Sequence, residues 1–182
     1  MKSKMLLFVI ALFAMTQAMA QNTLIDRAGV ASFFSEAPME DIEAVNKEVL
    51  GAIDLEKGTL AVSMFIKGFH FDKSLMEEHF NENYLESEKY PKATFKGKIT
   101  DYANLDLTKT GTYTAEADGE MEIHGVKKPL KTRVEFKVTA STIEAKTAFE
   151  ISVAEHDIEI PTLVIKNIAE FVDVKASFKF AR

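Results

Sequence analysis

Four histidines and a cluster of glutamates are the residues of this 182-residue chain whose types could do chemistry. The histidines are His70, His79, His124 and His156. A metal site on a helix brings two of them together at i, i+4, and one on a strand brings an H-x-H pair; neither spacing occurs. No metal centre is therefore expected. His124 falls at the end of a strand, on its outer phase, and reads as a turn residue bonding the backbone of the following loop, Val126 to Pro129. The glutamates Glu77, Glu78, Glu82, Glu86 and Glu88 could pair for acid–base work. However, Glu78, Glu82 and Glu86 are four apart, which sets like charges along one solvated helix face. The chain has no cysteine, so a thiolate nucleophile and thiolate metal ligands are both excluded. No serine lies in a G-x-S-x-G turn and no glycine-rich phosphate loop is present. The residues compose no catalytic constellation, and no enzyme activity and no cofactor are expected.

The elements that must position these side chains are organised around Leu60 to Ile99. Leu60, Val62, Met64 and Ile66 share one face of an extended segment, because successive strand side chains point to opposite sides. Ala93, Phe95, Gly97 and Ile99 repeat that pattern. Between the two strands the period lengthens. Ser74 and Glu77 form an S-x-x-E capping signature, and Met76, Phe80 and Tyr84 make an apolar stripe, which predicts one short helix over about 74–87. Tyr90-Pro91 ends it.

The rest of the chain alternates. A first strand is expected over Ala28 to Ser35, with Val30, Ser32 and Phe34 on one face, ended by Ala37-Pro38. Asp41 to Asp54 is extended, but Ile42 and Ala44 are out of phase with Val49, Gly51 and Ile53, which predicts a bulge near Lys47. Tyr113, Ala115, Ala117, Met121 and Ile123 form an inner row. A four-residue turn at Val126 to Pro129 follows, and then Leu130, Thr132, Val134, Phe136 and Val138 form the answering row. Their outer partners set acidic against basic side chains, which helps fix register. Ile143, Ala145, Phe149, Ile151 and Val153 continue the inner face. So do Val172, Val174, Ala176, Phe178 and Phe180. Asp157 to Ile168 is broken by Pro161 and reads as a short helical turn or a buried loop.

About eight long strands, each with one dry and one wet face, predict an all-β fold. A single open sheet would leave its dry face bare, so closure into an antiparallel barrel is favoured, wide enough for one small ligand. The inner face mixes large phenylalanines with alanine and glycine. Either these interdigitate into a solid core, or the small residues leave a lumen for an apolar chain. Face parity nominates Val62, Met64, Ile66, Phe80, Tyr84, Phe95, Ala115, Met121, Phe136, Phe149, Ala176 and Phe178 as the wall of such a lumen. His79, Asn83, Tyr84 and Tyr90 are polar candidates near its mouth. Each buried methylene contributes ~0.8 kcal/mol, so such a tunnel would select long acyl or other apolar chains by length and girth.

The first 20 residues read as an export signal: Lys2 and Lys4, an apolar run from Met5 to Met15, and Ala18-Met19-Ala20 as the cleavage site. The run is too short to span a bilayer, though an uncleaved anchor is the alternative. Residues 21–182 then form one domain. Removing Lys2 and Lys4 from the 22 basic residues leaves 20 against 28 acidic ones, a net charge of −8. That balance argues against nucleic acid as a partner.

Two segments carry a family resemblance. SLMEEHFNENYLESEKYPKATFKGKI, residues 74–99, and Glu122-Ile123-His124-Gly125-Val126-Lys127-Lys128-Pro129-Leu130 together resemble the YceI-like family of bacterial polyisoprenoid-binding, lipocalin-like secreted proteins. The second segment is similar to that family's IHGVxKP turn. The resemblance extends from Arg27 to the C-terminus. It implies a lipocalin-like barrel, periplasmic or secreted, that carries a polyisoprenoid or similar amphiphile without catalysis. A packed structural or stress-related interaction barrel without a ligand is the alternative. A second copy of the chain is left open as a partner.

Overall fold

Alternating apolar and polar residues make each strand two-faced, and the molecule hides the apolar faces by rolling the sheet into a closed barrel. The computed structural model describes residues 22–36, 41–159 and 170–182. Its strands are β1 (Thr23–Ser35), β2 (Ile42–Asp54), β3 (Thr59–Phe65), β4 (His70–Phe71), β5 (Lys92–Ile99), β6 (Gly111–Ile123), β7 (Val126–Val138), β8 (Thr142–Ser152) and β9 (Phe171–Ala181). One short α-helix, α1, spans Ser74–His79. The sheet order is β1-β9-β8-β7-β6-β5-β3-β2, and β1 also pairs with β2, which closes an eight-stranded antiparallel ring. The two-residue β4 hangs from the upper part of β2 through Ala44↔Phe71 and Val45↔His70. The expected leader over residues 1–20, the stop at Ala37-Pro38 and most of the Asp157 to Ile168 segment lie outside the described residues.

The phase slip in the second strand is a real bulge. β1 pairs Gly29 with Val49 and then Ala31 with Asn46, so β2 carries one extra residue at Lys47–Glu48. Buried positions accordingly switch from Ala44 and Asn46 to Val49, Gly51 and Ile53. The first strand is longer than expected and faces the other way. Ala31, Phe33 and Ser35 turn inward, and Phe34 is exposed. Adjacent phenylalanines satisfy either parity, and a second shift between Asp26 and Gly29 hides the true one.

The turn after β6 is also shorter than expected. It consists of His124 and Gly125 alone, both at positive φ (53° and 74°), and Ile123 pairs directly with Val126. Two left-handed residues in a row are what a two-residue hairpin matching the strand twist requires. Val126 to Pro129 therefore belong to β7. The acidic and basic outer rows do face one another: Lys131 Nζ lies 2.8 Å from Glu116 and Lys127 Nζ 3.1 Å from Glu120.

The helix is shorter than its apolar stripe suggested. After His79 the chain widens into a π-helical turn over Phe80–Tyr84. The capping box does not form: the N-cap position falls on Lys73, with no side-chain cap hydrogen bond, and Ser74 is already the first helical residue. Glu77 instead accepts a hydrogen bond from the Phe71 N–H at 3.1 Å and lies 3.5 Å from His70. Glu86 is beyond the helix, at φ 41°, and so does not share a face with Glu78 and Glu82.

Candidate ligand-binding cavity

The barrel interior divides into two halves. At the end formed by the 54–59, 99–111 and 138–142 connections, the inner side chains interlock. Phe136, Ile143, Leu107, Ile53, Ile99, Ala117 and Val138 are buried together. The 99–111 connection tucks Tyr102, Leu105 and Leu107 under the strands as a cap, and Tyr102 donates a hydrogen bond to the Leu55 carbonyl at 2.7 Å. Small residues here serve packing. The same holds at the boundary with the other half, where a Cβ added at Gly51 would strike the ring of Phe178.

The other half is hollow. A cavity of about 520 Å3 opens among the upper strands, within the range of roughly 300–1,000 Å3 typical of ligand pockets. Its wall is overwhelmingly apolar. Phe136, Phe178 and Phe180 form its floor against the packed half. On the β1–β3 side a roof is built from the 66–84 segment. There Phe33, Phe69, Phe71 and Phe80 stack and tilt against one another with ring centroids 5.0 to 5.8 Å apart. Tyr84 and His79 border the cavity at this end. Burial pushes the Tyr84 phenol above its ordinary value, so it stays a neutral hydroxyl.

Of the twelve residues nominated by parity, Val62, Met64, Ile66, Phe80, Tyr84, Phe95, Met121, Phe136, Phe149, Ala176 and Phe178 border the cavity. Ala115 does not. It faces inward but sits in the packed half, next to Val134 across the β6–β7 pair. Parity tells inside from outside and carries no information on height along the barrel. Of the polar mouth candidates, His79 and Tyr84 border the cavity, whereas Asn83 is exposed and Tyr90 packs against His124. Parity also missed residues that border it: Phe33, for the reason given above, Phe69, which caps the 3-10 turn Ile66–Gly68, and Phe71, in the two-residue β4, too short to show a strand period.

Beside the cavity mouth is a polar joint. His124 is only 7% exposed. One ring nitrogen lies 3.1 Å from the His156 carbonyl and the other 2.9 Å from a Glu86 carboxylate oxygen. The Tyr90 ring meets it edge-on at 4.4 Å. His124 therefore ties the β6–β7 turn to the 86–90 and 154–156 turns, rather than bonding its own following loop as expected. His156 is 3% exposed, and burial pulls its pKa below the ordinary imidazole value. This joint is a structural clamp. No group of three or more metal-ligating side chains occurs among the described residues. No helix among them is long and apolar enough to cross a membrane.

The comparisons with known proteins agree with this architecture. A profile described as YceI-like domain matches residues 26–180. No curated protein sequence matches the chain. Among solved structures, a polyisoprenoid binding domain from Saccharophagus degradans, implicated in plant cell wall breakdown, superimposes with a TM-score of 0.76 at 16% identity, over 88% of this chain and 98% of that one. BcnA of Burkholderia cenocepacia follows at 0.69 and 15% identity, over 83% and 95%. The YCEI protein of Campylobacter jejuni matches at 0.63 and 14% identity, over 81% and 88%. At such identities the likeness is one of fold. With the profile spanning nearly all of the described barrel, this chain belongs to the YceI-like family.

Proposed function

We propose that this protein binds and carries a long apolar lipid, a polyisoprenoid or similar amphiphile, inside its barrel, without chemical conversion, in the periplasm. The observation that supports the reading best is the apolar cavity of about 520 Å3 in the open half. Its wall offers dispersion contact along its length and few polar groups. Each methylene buried contributes ~0.8 kcal/mol, so ten or more carbons outweigh a substantial part of the association cost. The Saccharophagus degradans domain of the same fold is described as polyisoprenoid binding, which favours a prenyl chain over an acyl chain. The basic, apolar, small-residue pattern of residues 1–20 supports export with cleavage after Ala20. The nominated residues that border the cavity, from Val62 on β3 to Phe178 on β9, are its proposed contacts.

Mass spectrometry of a solvent extract tests the reading. Protein purified from its own host is expected to release one prenyl or long acyl species in near-stoichiometric amount, and emptied protein to take up a fluorescent polyprenol. An empty extract with no uptake would leave only a packed structural barrel.

A further inference from the structure

Among the described residues three ladders stop while both strands run on: β1–β9 at Val30↔Ser177, where the Asp26 carboxylate takes the Lys179 N–H instead; β2–β3 at Leu50↔Ser63, where β4 pairs with the rest of β2; and the one between β7 and β8. Pairing there runs from Val138↔Ile143 to Val134↔Thr147 and stops. Both strands continue. β7 stays paired with β6 up to Ile123↔Val126, and β8 stays paired with β9 up to Ser152↔Phe171. Among the described residues, no ladder pair joins the upper part of β7 to the upper part of β8.

The fork is built rather than frayed. Thr132 and Thr147 meet across its base, Oγ1 to Oγ1 at 2.8 Å. The Thr147 hydroxyl also lies 2.9 Å from the Arg133 carbonyl, and Thr132 donates to the Ala148 carbonyl at 3.3 Å. The first carbonyls beyond the last pair are thus satisfied by side chains. Above them stands Pro129. The Ile123↔Val126 pair closes a two-residue hairpin, so alternate residues Lys128 and Leu130 bond β6, while Lys127, Pro129 and Lys131 turn their backbone toward β8. At that edge Pro129 has no N–H to give, and a ladder cannot run through it. The top of the fork is bounded by the His124–His156 joint. Leu130, Phe149 and Ile151 flank the gap, and all three border the cavity.

We propose that this fork is the doorway through which the lipid enters and leaves, sideways across the wall rather than along the barrel axis. The inference rests on the lipid-carrying function. Two observations favour a lateral path. The far end is solid, and the roof over β1–β3 is filled by four phenylalanine rings. At the fork, backbone groups that no ladder pair takes among the described residues are open to hydration, so a polar head group can hydrogen-bond there while its tail passes over Leu130 and Ile151.

The absence of cysteine makes the test clean. Lys131→Cys with Glu150→Cys places one thiol on each strand at positions that would pair if the ladder continued, both on the outer face, leaving the cavity wall intact. The pair is closed by oxidation or by a short bismaleimide. Uptake of a fluorescent polyprenol by the emptied protein is then followed by stopped flow. The stapled protein is expected to load at least tenfold more slowly than the open form, to reach the same final occupancy, and to recover its rate when an oxidised staple is reduced. Equal loading rates before and after a staple verified by mass would overturn the doorway and leave the carrier function standing. An open form that takes up no probe would overturn both.

Discussion

The two halves of this barrel are made from the same strands and the same residue types, yet one is solid and the other hollow. β6 and β7 run through both. At the capped end they contribute Tyr113, Ala115, Val134, Phe136 and Val138, which interlock with Ile143 and Phe180. At the other end they contribute Met121, Ile123, Leu130 and Thr132, which border empty space. The difference is what the connections supply. The 99–111 segment inserts Leu105, Leu107 and Tyr102 beneath the strands. The 66–84 segment lies across the opposite end and keeps its phenylalanines in the roof. A barrel of this strand number has little spare volume, so whether a given stretch is filled depends on which loop side chains are tucked into it.

The comparison can be broken most sharply by cutting the solid half. Ile143→Ala removes a fully buried side chain from a rigid surround, and a loss of about 2–5 kcal/mol is expected in denaturant unfolding, with lipid uptake by the folded protein unchanged. A loss below ~1 kcal/mol would show that this half is looser than described. The next effect is a contrast between two alanines. Ala115→Phe overpacks the solid half, at a cost of about 1–3 kcal/mol. Ala176→Phe directs its ring into the cavity, so it should cost less stability and weaken polyprenol binding by about tenfold, ~1.4 kcal/mol. If the two variants lose equal stability, the halves do not differ as claimed.

A smaller effect concerns the joint at the open end. His156 is buried, which disfavours its charged form in the folded state; Lys128 acts in the same direction, while Glu155 and the Val126 and Ile123 backbone partly oppose. Its folded pKa lies below the unfolded one. The stabilisation is therefore present above pH ~6.5 and is lost as pH falls from there toward the folded value, because the unfolded chain takes a proton that the folded one refuses. Urea midpoints measured from pH 8 to 5 should decline, and His156→Gln should flatten that decline. The least effect is expected from Thr147→Val, which removes the hydroxyl at the base of the β7–β8 fork and should cost about 1 kcal/mol by thermal unfolding.

Strand count, barrel closure and the inward face of β3 and β5 to β9 were all legible in the sequence, because a period of two is set by backbone geometry and survives tertiary context. The bulge at Lys47–Glu48 was legible for the same reason, as a slip in that period. What could not be read lies where local pattern is silent. Phe33 and Phe34 satisfy either phase. Ser74 and Glu77 carry a capping signature, yet the Phe71 N–H wins the Glu77 carboxylate. His124 sits in a recognisable motif, but its partners, Glu86 and His156, are brought to it only by the fold. The height of Ala115 along the barrel depends on strand stagger, which alternation does not encode.

The pairing of β1 with β9 carries a cost in time. Val30 meets Ser177 and Phe34 meets Asp173, so the seam joins nearly opposite ends of the polypeptide. Contacts this distant in sequence form late and slowly. Until the final strand arrives, the outer edge of the first one has no neighbour and can template pairing with another chain. A nascent molecule of this design is therefore most vulnerable to aggregation just before its synthesis is finished, and shielding that early edge is the help it needs most.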